Sequence, residues 1–294
     1  MHLKELKIVK NRFIFTIPAF IFHFLFYILP IVLMIILSFY SWDILSPMKF
    51  VGLRNFSQLM KDKWFWNSIV VSFKYTFLAV PIIFVVSLIL GVLLQEEDRF
   101  SKVMRVFFYW PYMIPMVAAG TMWKWLFSRN FGLANYIITS MGFQPIDWLD
   151  NPTLALFTVV LVQVWVLAGF MMMLFIVGLQ AIPEEFYEAA SIDGATKFQK
   201  FWYITIPLLK NTNISVITLS IANCFRNFTI AYIMTTGGPG YATTVAPLYV
   251  YQKAFTDFRL GYASAGSLIV LLISFVIAYV VRKVQEREIE GGKI

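Results

Sequence analysis

Residues 182–207 read IPEEFYEAASIDGATKFQKFWYITIP, a polar, helix-breaking interval lodged between two long apolar stretches. Pro183 suits the first turn of a helix through Glu184, Glu185, Phe186, Tyr187, Glu188, Ala189 and Ala190, with its carboxylates at the positive end of the helix dipole. Gly194 ends that helix. Thr196 and Gln199, three apart, match a capping box that opens a second helix with Phe198, Phe201 and Trp202 on one face. Phe186, Ala189 and Ala190 form the matching stripe on the first helix. Small alanines let another surface approach the backbone closely, and Glu188 puts a charge on the rim. Two readings follow: an amphipathic loop lying on a membrane surface, or a hairpin on which another protein docks.

The flanks of this interval set the class. Sixty per cent of residues are apolar and 18% aromatic, only 14% are charged, and the mean hydropathy is +0.74, values foreign to a water-soluble domain of this length. The chain reads as an all-α, polytopic membrane protein. A bilayer core about 30 Å thick needs roughly 20 apolar residues in helical form, because nothing there satisfies open backbone groups. Six stretches qualify, at Phe13–Tyr40, Tyr75–Gln95, Val106–Leu126, Thr153–Gln180, Ile206–Met234 and Tyr262–Val281. The first is long for a signal-peptide core and lacks a small-residue cleavage pattern, so it is read as a span. The resulting organisation is a tail at 1–12, a six-helix transmembrane domain at 13–284 that contains the 182–206 loop, and a tail at 285–294. Cys224, the single cysteine, excludes an internal disulfide framework.

Basic residues orient the bundle. With both termini inside, inner connections carry Lys4, Lys7, Lys10, Arg12, Arg99, Lys102, Arg105, Lys197, Lys200, Arg282, Lys283, Arg287 and Lys293, against a smaller set outside that includes Lys49, Arg54, Lys61 and Lys63. The excess predicts an N-in, C-in arrangement and puts the 182–207 interval in the cytoplasm, between the fourth and fifth spans. Trp42, Trp64, Trp66, Trp123, Trp125 and Trp148 then gather near the outer interface. The net charge of +8 reads as this topology signal and as contact with anionic lipid; it does not point to nucleic acid.

Polar residues inside spans mark cavities or helix contacts. Gln163, Val166, Leu167 and Phe170 share one face of the fourth span by their spacing, and Ser220, Asn223, Cys224 and Asn227 share one face of the fifth. Arg226 lies near the outer end of the fifth span, where it pairs either with an acidic solute or, preferably, with a partner protein. All sixteen Asp and Glu fall in or beside loops, and His23 is the one histidine within a span. That argues against proton coupling while leaving an ion-coupled secondary carrier as the alternative reading. A membrane enzyme would need spaced ligands or paired carboxylates in a span, and the sequence has neither.

Glu188-Ala189-Ala190, Asp193-Gly194-Ala195 and Ile204-Thr205-Ile206-Pro207 resemble the EAA loop of the permeases of binding-protein-dependent ABC importers, with Ile206 where the pattern usually has Leu. Gly237-Gly238-Pro239 with Thr243-Thr244, and Gly261-Tyr262-Ala263-Ser264-Ala265, resemble the sugar-type permeases. Val51-Gly52-Leu53-Arg54-Asn55-Phe56 is similar to the loop after the first span in the first permease of such pairs. This resemblance implies a non-catalytic permease subunit in the cytoplasmic membrane of a prokaryote. Its implied partners are a second homologous permease, two ATPase subunits that hold ATP and Mg, an external solute-binding protein, a sugar substrate and membrane lipid. The chain itself has no Gly-x-x-x-x-Gly-Lys-Ser/Thr phosphate loop and calls for no cofactor. On this reading Phe186, Glu188, Ala189, Ala190, Asp193, Gly194 and Phe198 couple to the ATPase. Gln163, Trp165, Phe170, Asn223, Arg226 and Asn227 are the candidates for solute contact, amides serving sugar hydroxyls and aromatic faces serving C–H patches. The amides equally suit bonds between neighbouring helices.

Overall fold

A computed structural model of the chain describes the backbone of residues 16–290 and the side chains of residues 16–283. Its helices in chain order are α1 (Thr16–Ser38), α2 (Arg54–Lys61), α3 (Lys63–Leu93), α4 (Arg99–Met113), α5 (Met116–Leu126), α6 (Leu133–Ser140) and α7 (Pro152–Gln180). There follow α8 (Glu185–Ile192), α9 (Lys197–Leu208), α10 (Lys210–Phe225), α11 (Thr229–Thr235), α12 (Ala246–Tyr251) and α13 (Leu260–Glu290). One two-residue strand pair, β1 (Tyr40–Ser41) and β2 (Lys49–Phe50), is the exception to the all-helical reading. The described residues form two compact units, 16–63 with 250–272, and 64–249 with 273–290.

In the first unit, α1 buries only Ser38 of the residues in its last ten and turns Phe20, Phe22 and Phe26 outward, the pattern of a helix whose solvent is lipid. The antiparallel β1–β2 pair sets Tyr40 opposite Phe50. Asn55, buried at the start of α2, donates its amide to the carbonyls of Ser38 (2.8 Å) and Tyr40 (2.9 Å), which the end of α1 leaves open. The Val51–Phe56 motif is therefore a splint for α1. At the start of α13, Leu260 N–H bonds the Trp42 carbonyl (3.0 Å) and Tyr262 donates its phenol to Asp62 (2.5 Å).

The second unit is built on α7, whose Ala155, Val159, Val162, Val166, Met171 and Phe175 are buried. α4 and α10 pack on it, while α5 pairs with α11. The approach of α4 is close because residue 169 is glycine: a Cβ there would fall on the Phe108 carbonyl. This is the small-residue contact that membrane helices use where the hydrophobic effect offers no help.

Prolines redraw two of the expected spans. Four described helices, α1, α3, α7 and α13 as far as Lys283, are long and apolar enough to cross a bilayer, and the pair α9–α10, bent by 68°, is apolar enough for a fifth if taken as one broken span. The stretch Val106–Leu126 is two helices, α4 and α5. Pro115 drives Ile114 to an extended ψ of 134° and so ends the helix. The stretch Ile206–Met234 is divided among α9, α10 and α11. Pro207 cannot bond the Tyr203 carbonyl, the turn before it widens into a π-helix over Phe201–Thr205, and the axis bends at Leu209. A second break at Arg226–Phe228 separates α10 from α11. α3 starts at Lys63, well before the expected Tyr75, and carries Lys74 within it. Of the expected tails, 1–12 lies outside the described residues, and α13 continues through Glu290 into the 285–294 segment.

Candidate functional site

The α8–α9 hairpin is local chemistry carried out in full. α8 begins at Glu185, two residues after Pro183, with Glu185 and Glu188 in its first turn against the open N–H groups. It closes as a Schellman turn: Ala195 N–H bonds the Ala190 carbonyl (2.9 Å), Gly194 N–H bonds that of Ser191 (3.1 Å), and Gly194 takes the required left-handed φ of +78°. Thr196 and Gln199 then form the expected capping box. The hairpin is clamped on its inner side by Tyr187 and Thr205, whose hydroxyls lie 3.0 Å apart, and by Lys200 Nζ donating to Ser191 Oγ at 2.5 Å.

Much of the hairpin's remaining side-chain surface is exposed. Phe198 is 73% exposed, Tyr203 80%, and Phe186 and Trp202 each 50%, while Glu188, Ala189, Asp193 and Gly194 are exposed beside them and Ala190 is half-buried. Phe201 instead turns inward against the core of the second unit, so the expected Phe198–Phe201–Trp202 stripe is split between two faces. Tyr203, the most exposed of the four, lies inside the π-turn over Phe201–Thr205 and outside the expected stripe.

Inside the bundle the polar residues meet each other. Gln163 Oε1 accepts from Asn227 Nδ2 at 2.5 Å and from the Tyr75 hydroxyl at 3.3 Å, and Asn227 Nδ2 also reaches the Tyr75 oxygen at 2.7 Å. Tyr75 and Gln163 are each 1% exposed and Asn227 is 6% exposed. In this arrangement the two amides tie α3, α7 and the break before α11 together: the Asn227 amide is engaged at both ends, while Gln163 uses its oxygen and its Nε2 makes no hydrogen bond with a described residue. Asn227 Oδ1 also accepts from Ile230 N–H (3.4 Å) at the start of α11. Tyr75 is the partner that spacing within single helices could not supply, because it lies 88 residues from Gln163.

The other solute candidates are scattered. The expected shared face of Ser220, Asn223, Cys224 and Asn227 does not form, since α10 ends at Phe225: Ser220 and Cys224 are buried, Ser220 Oγ without a partner, whereas Asn223 is exposed and bonds the Leu219 carbonyl of its own helix (2.8 Å). Arg226 is exposed at the C-terminal cap of α10. Trp165 sets its ring edge-to-face with Trp123 (5.3 Å), and Phe170 stacks on Tyr112 (4.6 Å). Among the described residues no cluster of His, Cys, Asp and Glu is arranged to hold a metal.

Comparison with known proteins places this architecture. Residues 83–289 match the family described as "Binding-protein-dependent transport system inner membrane component". The trehalose/maltose transport system permease protein MalF of Thermococcus litoralis is 35% identical over 92% of this chain and 92% of its own length. The sulfoquinovosyl glycerol transport system permease protein SmoG of Agrobacterium fabrum is 31% identical over 90% of this chain and 86% of its own. Among solved structures, a chain of a bacterial alginate ABC transporter, in complex with an alginate pentasaccharide-bound periplasmic protein, superposes with a TM-score of 0.85. It covers 97% of this chain and 96% of that one at 19% identity, and so speaks for the fold.

Proposed function

Since this chain belongs to the family of binding-protein-dependent transport system inner membrane components, we propose that it is the permease half of an ATP-driven importer that carries a carbohydrate delivered by an external binding protein. The observation that carries this reading is the α8–α9 hairpin, capped and internally bonded, with four large aromatic side chains exposed along it as are Glu188 and Ala189. A capped, clamped helix pair is costly to leave uncovered, and aromatic anchors ringed by small and charged residues are what a protein interface uses.

In the proposed assembly the hairpin faces the cytoplasm and lies in a cleft of one ATPase subunit, which holds ATP and Mg. A second homologous permease completes the pathway. The chain crosses the cytoplasmic membrane six times with both termini inside, α4 with α5 and α9 with α10 each serving as one broken crossing. Movement of the ATPase would be passed through α9 to α10 across the bend at Leu209, exchanging inward-open for outward-open access. The carbohydrate assignment is supported by relatives named for trehalose, maltose and sulfoquinovosyl glycerol transport. Gln163, Asn223, Asn227, Trp165, Phe170 and Arg226 remain the candidates for contact with the sugar, and Gln163 and Asn227 would have to exchange their bond to each other for bonds to sugar hydroxyls.

The test is co-purification. Glu188→Lys with Gly194→Lys is expected to abolish recovery of the ATPase subunits with the permease and to abolish solute accumulation, while the permease still reaches the membrane. Intact assembly and uptake in that double variant would sink the proposal.

A further inference from the structure

At the end of α7 opposite the hairpin, a cleft of about 440 Å³ opens between the α5–α6 turn, the segment leading into α7 and the Gly238-Pro239 turn. α7 is 29 residues long, so roughly 43 Å separates this cleft from α8. If the hairpin is cytoplasmic, the cleft opens on the side from which solute arrives.

Its construction is that of a platform with a polar rim. Trp148 lines the cleft and is held from behind: its indole N–H donates to Asn135 Oδ1 (3.1 Å), and its carbonyl accepts from Thr158 Oγ1 (3.1 Å). Asn135 is 3% exposed and is itself fully engaged, accepting from Ile146 N–H (2.9 Å) and donating to the carbonyls of Ile146 (2.9 Å) and Arg129 (3.1 Å). The Phe127 ring, buried and 5.3 Å away, packs on the indole. The facing wall is equally fixed, because Thr243 and Thr244 hydroxyls bond the carbonyls of Gly238 and Gly237, each at 2.8 Å. Against this rigid frame, Asn130 and Asp150 line the cleft, are exposed, and make no hydrogen bond or ion pair with any described residue. A volume within the about 300–1,000 Å³ range of ligand sites, one immobilised aromatic face and an uncommitted amide and carboxylate suit a ring with an apolar C–H face and equatorial hydroxyls.

We propose that this cleft is a carbohydrate subsite at the outer mouth of the pathway, where one sugar ring lies on Trp148 and gives its hydroxyls to Asn130 and Asp150. The inference rests on the carbohydrate reading above. It gives the 127–152 connection and the Gly-Gly-Pro turn a shared task, receiving the leading ring of the solute as it leaves the binding protein. Because the ring meets a preformed surface, little ordering is left to oppose binding.

The test uses the complete transporter, with its ATPases and binding protein, in proteoliposomes supplied with radiolabelled oligosaccharides built on glucose, arabinose and uronic-acid units. Trp148→Ala is expected to raise the half-saturating concentration of liganded binding protein about tenfold, Trp148→Phe about threefold, and Asn130→Ala with Asp150→Asn about tenfold, as loss of a stacked ring or of two polar contacts would. The Asn130/Asp150 variant removes groups that hold nothing in the fold, so it reports even if Trp148→Ala fails to assemble. Unchanged uptake in that variant, with the wild type active on a sugar, would overturn the subsite and leave the carbohydrate function standing. No uptake of any of these sugars by the wild type would overturn both. A fall in capture of the sugar-free binding protein that matches the fall in uptake would also overturn the subsite, by making the cleft a protein contact.

Discussion

The α8–α9 hairpin and the Tyr75–Gln163–Asn227 cluster are both polar interruptions in an apolar chain, and the structure resolves them in opposite ways. The hairpin satisfies its backbone groups from within 25 residues, by a Schellman turn, a capping box and a Tyr187–Thr205 contact, and so has its outer side chains to spare. The cluster closes only across distance, Tyr75 to Asn227 being 152 residues apart, and spends all of its groups but the Gln163 Nε2 amide on bonds between helices. Where hydrogen bonds close locally, side chains are free to meet a partner. Where they close between helices, the same residue types become part of the fold.

The sharpest way to break this contrast is to truncate the exposed rings. Phe198→Ala with Trp202→Ala should lower uptake by the assembled transporter by more than about thirtyfold, the effect of removing interface anchors worth 2 kcal/mol or more. The unfolding temperature of the isolated permease should not move, because both rings are at least half exposed. A drop in that temperature would place the rings in the fold and erase the distinction.

The cluster should show the reverse signature. Asn227→Ala strips Gln163 and Tyr75 of their shared partner and should destabilise the permease in nanodiscs by about 1 kcal/mol, the scale of interhelical hydrogen bonds in membranes. A cycle with Gln163→Leu should reveal coupling of similar size. Additive effects would separate the two amides and leave them independent solute contacts.

The smallest effect belongs to a control helix end. Asp98 caps α4, accepting from Phe100 N–H (2.9 Å) and Ser101 N–H (3.3 Å), and the Ser101 contacts hold its carboxyl below the ordinary carboxylate range. Its folded-state value is thus lowered, so its contribution is present above the unfolded value and lost as pH falls through the folded one, below about pH 4. Asp98→Asn should flatten the acid limb of the stability profile slightly, and an identical limb in wild type and variant would remove the cap from the account.

What could be read along the chain follows the same division. The Gly194 stop, the Thr196–Gln199 box and the membrane class were legible because each depends on neighbours a few residues away or on composition. The division of Val106–Leu126 and of Ile206–Met234 was half legible: Pro115 and Pro207 stand in plain view, but apolarity alone runs straight through them. Trp148 looked like an interfacial tryptophan among five others, and only the buried Asn135 behind it distinguishes it.

By itself the sequence determined that the chain lives in a bilayer and that a capped two-helix interval divides it, since hydropathy, capping and turn chemistry are decided over one or two helical turns. Tertiary structure alone decided that Gln163 and Asn227 bond to each other and to Tyr75, that α10 stops before Asn227, and that Trp148 is immobilised beside a cleft. Those facts depend on which distant carbonyls, amides and rings arrive at one point, and helix packing around Gly169 and the proline bends sets that arrival, not any pattern within a single span.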